Sequence, residues 1–470
     1  MRLAILGYGV EGKSVEKYFK THPYENIAPK DIEITIFDDF KDEDIDNLGL
    51  EKFDVVFRSP SVRPHYNYTE FEDEDIQLGN EDQYKIANKK PYWTSATKYF
   101  FEHCPAEIIA VSGTKGKGTT CSMITAITDA INRFMYSANS DSVHSKKTLP
   151  KTYLVGNIGT PALDVLDKIT ALDNVVYELS SFQLWDLHQG SIVGVLLRIE
   201  PDHLNVHKDF EEYVHAKSTI ARYKGNTDYL IYFNNNETTV SIAEKSAARK
   251  LSYPINNSAK NSPNLSDAAQ KKLDTLLDLL QVPGEHNREN AEAALLAVAA
   301  RFFHGDIENL ITGEFYPALE SAFKNFQGLP HRLEFVRKLN GVKYYDDNYS
   351  SAFPALDVAI SALAEKPLVL IAGGKDRGLD LTAAKTRIFS AKNIIKVILI
   401  GETREKLAAH ENPKKYILVD DLKTAVATAR EIAEENDANV LMSPGAASFD
   451  MFENFKDRGE KFQKYVKGLK

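Results

Sequence analysis

The sequence predicts an α/β protein of three domains, each built on a mostly parallel sheet. Short apolar runs of strand length alternate with helix-period segments along most of the chain, the signature of strand–helix–strand units. Two of those runs lead straight into glycine-rich turns. The length of 470 residues exceeds what a single core ordinarily fills. The expected blocks are 1–90, 91–327 and 328–470.

The first block opens on the strand run Leu3-Ala4-Ile5-Leu6 and continues into Gly7-x-Gly9-x-x-Gly12 at the start of a helical pattern. A second run, Ile34-Thr35-Ile36-Phe37, ends in Asp38-Asp39. Glycines for a tight turn, a helix N-terminus for phosphate and an acid for ribose or base define a Rossmann-like context. Taken alone, the fingerprint suits a nicotinamide-dependent oxidoreductase, or a glycine-tight turn with no ligand. The oxidoreductase reading requires downstream groups for hydride transfer, and no convincing set follows. The block closes in a polar, acidic stretch over 70–90.

The second block contains Val111-Ser112-Gly113-Thr114-Lys115-Gly116-Lys117-Gly118-Thr119-Thr120. Ile108-Ile109-Ala110-Val111 reads as a buried strand, and Thr119 onward reads as a helix. Strand, glycine loop and helix together point backbone N–H groups and a helix dipole at an anion. The spelling departs from the P-loop form G-x-x-x-x-G-K-S/T. Val111 stands at the first glycine position, and Gly118 follows Lys117 where a hydroxyl is expected. Lys117 would reach the terminal phosphates, and Thr119 or Thr120 would offer a hydroxyl to Mg²⁺. Further on, Asn174-Val175-Val176-Tyr177 ends at Glu178, a strand over 195–199 precedes Asp202-His203, and Lys217 lies in a helical pattern. The polar segment 234–266, rich in Asn, Ser and Lys, reads as an irregular surface region. The third block begins near Gly328 and holds strand runs over 367–372, 397–400 and 439–442.

Composition narrows the function classes. Apolar residues make up 43% of the chain, and 57 basic residues face 67 acidic ones. The net charge of −10 argues against a nucleic-acid-coating surface. It leaves room for an anionic small-molecule substrate at a local cluster of lysines. The two cysteines, Cys104 and Cys121, have no zinc or disulfide spacing. No apolar run reaches membrane-span length, and the first residues lack a secretion-signal pattern. The expectation is a cytoplasmic protein, monomeric, without nucleic-acid or membrane partners.

The lysine loop resembles the ATP loop of the Mur ligases and folylpolyglutamate synthases, G-T-x-G-K followed by Thr or Ser. Its extra Gly118 is like the folylpolyglutamate branch. The remaining motifs resemble the D-glutamate-adding branch of the Mur ligases. They are Glu178-Leu179-Ser180-Ser181-Phe182-Gln183-Leu184, Gly156-Asn157-Ile158-Gly159, Pro201-Asp202-His203-Leu204 and Ala216-Lys217. Gly284-Glu285-His286-Asn287-x-x-Asn290, Gly328-Leu329-Pro330-His331-Arg332-x-Glu334 and Ser443-Pro444-Gly445-Ala446-Ala447-Ser448-Phe449-Asp450 follow in the same order.

The resemblance implies an ATP-dependent amide ligase that joins D-glutamate to UDP-N-acetylmuramoyl-L-alanine through an acyl phosphate. Its alternatives are a related ligase for another amino acid or a folylpolyglutamate synthase-like enzyme. It implies that 113–120 bind ATP, with Asn290 and Asp347 at adenine and ribose and Arg332 at the γ-phosphate. Two Mg²⁺ ions are implied: one on Glu178 with Thr119 or Thr120, a second on His203 and on Lys217 as a CO₂-derived carbamate. A carbamate requires the neutral amine, so burial or nearby cations should lower the pKa of Lys217. Gly9, Val10, Glu11, Asp38 and Asp39 would hold the uridine, and Asn157, Ser180 and Gln183 the muramoyl-alanine. Ser351, Arg377, Ser448 and Phe455 would hold the amino acid. Besides Gly118, two positions depart from the family pattern. Tyr349 replaces the lysine of the family's D-S-K-A-T-N at 347–352, and Arg377 stands where lysine is common.

Overall fold

The structure, a computed structural model, describes residues 1–40, 42–64, 91–138 and 149–470. The acidic stretch expected over 70–90 lies outside the described residues. The chain divides into two compact units, Met1–Asp274 with Glu289–Leu319, and Thr275–Arg288 with Glu320–Lys470.

The first unit holds two parallel sheets. Strands β1 (Arg2–Leu6), β2 (Glu33–Phe37), β3 (Val55–Arg58) and β4 (Tyr92–Ser95) form the first, in the order β2-β1-β3-β4. The expected boundary at 90/91 therefore falls just ahead of a strand that pairs with β3. Gly7 turns the chain after β1 at φ +81°, and the helix Val10–Phe19 follows. Since β2 and β3 flank β1 on opposite sides, that turn sits at a topological switch point, where parallel sheets bind ligands.

The second sheet uses β5 (Glu107–Ser112), β6 (Thr152–Gly156), β7 (Asn174–Glu178), β8 (Val193–Leu196), β9 (Tyr229–Phe233) and β10 (Arg249–Tyr253), in the order β10-β9-β8-β5-β7-β6. All its pairings are parallel. Its central strands are apolar because helices cover both faces of such a sheet. Here too the strand before the lysine loop, β5, lies between β8 and β7, at a second switch point. Three expectations need correction. The helix after the loop begins at Lys117, not at Thr119. The strand expected over 195–199 is Val193–Leu196. Segment 234–266 is not irregular throughout, for it contains the helix Glu237–Lys245 and the edge strand β10. Within it Ile242, Ala243 and Tyr253 are buried, and so are the polar Thr239, Ser246 and Ser252.

The two sheets share one continuous apolar core, from Leu3 and Ile5 through Phe100 to Tyr177 and Leu184. A buried ion pair also joins them. Arg58, at the end of β3, donates from Nε to Asp186 Oδ2 at 2.6 Å, and Ser14 and Lys17 both bond Asp164.

The second unit is one six-stranded sheet in the order β11-β12-β16-β13-β14-β15, with strands Glu334–Leu339, Val342–Asp346, Leu368–Gly373, Ile394–Ile400, Tyr416–Leu418 and Asn439–Met442 for β11 to β16. β11 and β12 form an antiparallel hairpin turned by Asn340 and Gly341 at positive φ, and the other pairings are parallel. Apolar clusters cover both faces. Because β12, β16 and β13 are neighbours, the loops at their C-terminal ends lie side by side. Those loops carry Asp347–Ser351, Ser443–Asp450 and Gly374–Arg377.

Candidate active site

The lysine loop is held by the segment that follows β8. Thr114 N–H donates to Arg198 C=O at 2.9 Å, and the Thr114 hydroxyl bonds Glu200 C=O, Glu200 N–H and the Tyr213 hydroxyl at 2.9–3.1 Å. The Thr114 side chain thus builds the loop and lies inside it. Gly113 (φ +150°) and Gly116 (φ +86°) leave no room for a Cβ, which would meet Leu197 Cβ at 2.6 Å and Asn290 Oδ1 at 2.5 Å. Asn290 is therefore a wall of the loop. Lys117 arches back over it, its Nζ 3.0 Å from the carbonyls of Gly113 and Thr114. Lys115 is exposed, Gly118 is buried and Thr119 is half-buried. Thr120 is fully buried, and its hydroxyl has no hydrogen-bond partner among the described residues.

Glu178 ends β7 beside that loop, in register with Val111 of β5 and Gly156 of β6. It is buried, and its Oε1 accepts from Asn157 Nδ2 at 3.1 Å. Ser180 and Gln183 close a reciprocal capping box on the short helix Ser181–Leu184. Gln183 also donates to Glu11 Oε1 at 2.6 Å. Glu11 and Gln183, expected as substrate contacts, thus hold each other across the two sheets of the unit. Desolvation pushes the Glu11 carboxyl up to about 7 against the Gln183 bond.

Lys217 is only 1% exposed, so it is no solvated helix lysine. Its Nζ donates to Gly113 C=O at 2.8 Å, reaches Ser112 Oγ at 3.4 Å, and lies 4.9 Å from the Tyr213 ring centre. Burial first, then the charge of Lys117, drives its pKa well below the ordinary lysine value, against the pull of Asp202 and Glu178. His203 differs. It is half-exposed, at φ +54°, with its ring 5.1 Å from Phe182 and 6.5 Å from the same Tyr213 ring. A carboxylate, an orphaned hydroxyl and a lysine amine whose pKa is depressed by burial surround a phosphate-type loop, and the two oxygen donors suit Mg²⁺.

In the first sheet, Gly9 and the exposed Val10 begin the helix after β1. Asp38 Oδ1 accepts from Tyr8 N–H at 3.1 Å, and Asp39 follows at φ +60°.

In the second unit, Arg332 lies exposed on a turn between two left-handed residues, His331 (φ +61°) and Leu333 (φ +48°). Asp347 is buried. Its carboxylate takes Leu333 N–H at 3.1 Å and the Ser443 hydroxyl at 2.6 Å, and desolvation raises it to about 7. It joins three loops. Ser351 and Arg377 are exposed, with Arg377 Nη2 3.5 Å from Ser351 C=O, while Ser448 is buried and Phe455 half-buried.

Sequence-family models add to this geometry. A Mur ligase middle domain matches residues 111–298, and a Mur ligase glutamate ligase domain matches 331–445. A protein of Clostridium kluyveri named UDP-N-acetylmuramoylalanine--D-glutamate ligase is 31% identical over the whole of this chain and 97% of its own length. The chain belongs to the Mur ligase family. A relative of the same name in Clostridium acetobutylicum is 30% identical, with the same coverage. The solved UDP-N-acetylmuramoylalanyl-D-glutamyl-2,6-diaminopimelate--D-alanyl-D-alanyl ligase of Acinetobacter baumannii shares the fold, at TM-score 0.52 and 16% identity, covering 79% of this chain and 78% of its own.

Two residues of this Mur ligase escaped the sequence reading. His207 is buried, bonds the Ser181 hydroxyl at 2.9 Å through Nε2 and stacks flat on Phe182. It ties the His203 loop to the Glu178 motif. Its signal was a second histidine four residues after His203. Arg458, fully buried, donates to Asn348 Oδ1 at 2.7 Å and to the carbonyls of Asn348, Ala446 and Ala447. It braces the loops carrying Tyr349 and Ser448. The charge-rich helix Phe455–Lys467 gave no sequence sign that one of its cations is buried.

Proposed function

We propose that this Mur ligase joins D-glutamate to UDP-N-acetylmuramoyl-L-alanine, with ATP as the activating substrate. The observation that supports this reading best is the placement of Lys117, Glu178 and Lys217 around one glycine loop in a chain that matches D-glutamate ligases end to end. A carboxylate is a poor electrophile. Its oxygen must first take the γ-phosphoryl group of ATP, giving an acyl phosphate and ADP. The amine then attacks the acyl carbon, loses its proton and expels phosphate. Both steps gather negative charge on oxygens, so fixed cations and oriented N–H groups give most of the rate.

We assign Gly113–Thr120 to the phosphates, with Lys117 shielding their charge, and Glu178 with Thr119 or Thr120 to Mg²⁺. Mg²⁺, when bound, supplies charge neutralisation at phosphate oxygens. The buried Thr120 hydroxyl, which has no partner among the described residues, fits such a donor set. We assign His203 and a carbamate on Lys217 to a second ion. The amine of Lys217 is depressed by burial, as carbamate formation from CO₂ requires. Asn290 is assigned to the adenine, Arg332 to the nucleotide's phosphate charge and Asp347 to its ribose. Gly9, Val10, Glu11, Asp38 and Asp39 are assigned to the uridine moiety. Asn157, Ser180 and Gln183 are assigned to muramoyl-alanine, and Ser351, Arg377, Ser448 and Phe455 to the amino acid. A guanidinium at 377 suits a carboxylate through paired N–H donors. No helix among the described residues is long and apolar enough to cross a membrane. A monomer working in the cytoplasm completes the reading.

The test is phosphate release from ATP with UDP-N-acetylmuramoyl-L-alanine and a panel of amino acids. D-glutamate should be preferred strongly. Equal or greater release with another amino acid, or with a folate acceptor, would overturn the assignment.

A further inference from the structure

We propose that Tyr349, which stands where the family pattern has lysine, is a positioning residue for Arg332. The inference rests on the reading above, in which Arg332 meets the phosphate charge of ATP. The Arg332 guanidinium carbon lies 3.8 Å from the centre of the Tyr349 ring, the distance of a flat stack. The ring is itself held in place. Tyr349 N–H donates to His331 C=O at 2.9 Å, which pins its backbone to the residue before Arg332. Phe455 meets it edge-on, with ring centres 5.3 Å apart and planes at 88°. Phe455 starts a helix whose N-cap, Asn454, accepts from the backbone N–H groups of Lys456 and Asp457.

Among the described residues no carboxylate forms an ion pair with Arg332, and the Tyr349 ring covers one side of its guanidinium. An exposed arginine otherwise samples many rotamers. Stacking removes much of that freedom and leaves the N–H edge of the guanidinium open. A lysine at 349 would make a like-charge neighbour and could not stack. The tyrosine thus removes one cation from the loop and orders the one that remains. The phenol oxygen plays no part, so phenylalanine should serve equally well.

The test is a double-mutant cycle on the full-length enzyme, reading kcat/KM for ATP. Tyr349→Ala should lower it about two- to tenfold, the range a cation–π contact supports. Tyr349→Phe should stay within about twofold of wild type. Tyr349→Ala should cost nothing further in an Arg332→Ala background, which a merely structural role would not reproduce. Three results overturn the inference: a silent Tyr349→Ala, a Tyr349→Phe as damaging as alanine, or equal losses in both backgrounds. If Arg332→Ala is itself silent, the phosphate assignment falls and this inference with it. If Arg332→Ala is damaging and Tyr349→Ala silent, only this inference falls. The half-exposed Tyr349 lies outside the apolar core, and a thermal melt of each variant checks folding.

Discussion

Lys217 and Lys224 lie seven residues apart, are both buried, and both donate to a backbone carbonyl and a serine hydroxyl. Lys217 bonds Gly113 C=O and reaches Ser112 Oγ. Lys224 bonds Ser191 C=O and reaches Ser191 Oγ at 3.2 Å. Burial depresses both, Lys224 to about 7. What differs is the company. Lys217 feels Lys117, Asp202 and Glu178, whereas Lys224 feels only Asp228 and packs under Gly194 of β8. A lysine with a depressed pKa is therefore an ordinary product of packing. It gains chemistry only where carboxylates and a phosphate loop surround it, which is why a perturbed pKa alone is weak evidence for a site.

The largest expected effect breaks the pair apart by turnover. Lys217→Ala and Lys217→Arg should each lose on the order of 10²–10³ in rate, the loss typical when a group stabilising developing charge is removed. Circular dichroism should show both folded. Arginine fails because it keeps its charge and supplies no oxygen. Bicarbonate added to degassed wild type at low pH should restore activity. An active Lys217→Arg enzyme that ignores bicarbonate would remove the carbamate. Lys117→Ala should lose a similar factor, and near-normal turnover there would reduce the loop to a turn.

Lys224→Met should leave turnover within about twofold and change the pH dependence of stability instead. The folded pKa is about 7 and the unfolded one 10.5, so between them the unfolded chain binds the extra proton. Wild-type stability should then rise with pH across that window, by at most about 1.4 kcal/mol per pH unit from this one group. The slope should be missing in the variant. Identical urea-unfolding profiles from pH 7 to 10 would show that Lys224 is charged in the fold.

His207 provides the smallest test. Desolvation lowers it from 6.5 to about 4. Between those values the unfolded chain again binds the extra proton, so stability falls as pH drops from 6.5 towards 4. His207→Phe should flatten that acid-side slope and, by losing the Ser181 bond, reduce turnover severalfold at most. A variant more acid-sensitive than wild type would contradict the buried, neutral imidazole.

Much of this architecture was legible in the sequence because it is local. Alternation of apolar runs with helical periods gave the α/β class, and both glycine turns lie where a strand passes into a helix. The apolar run over 174–177 placed Glu178 at a strand end. What failed was the reading of polar segments. Residues 234–266 looked irregular because their strand is a short edge and their helix buries only a thin apolar stripe. That β4 joins the first sheet by pairing with β3 was not legible either, because strand pairing is a long-range property.

The sequence by itself determined the family, the order of strands and helices, and the residue types that meet at each loop, since these follow from backbone preference and side-chain period. Only the tertiary structure decided which of those residues are buried, paired or aimed. Lys217 and Lys224 look alike in the chain, as Arg332 and Arg458 do. One of each pair differs in surroundings because its neighbours come from strands and loops more than a hundred residues away. Desolvation, the field of nearby charges and the face of an aromatic ring act through space, and no local pattern records them.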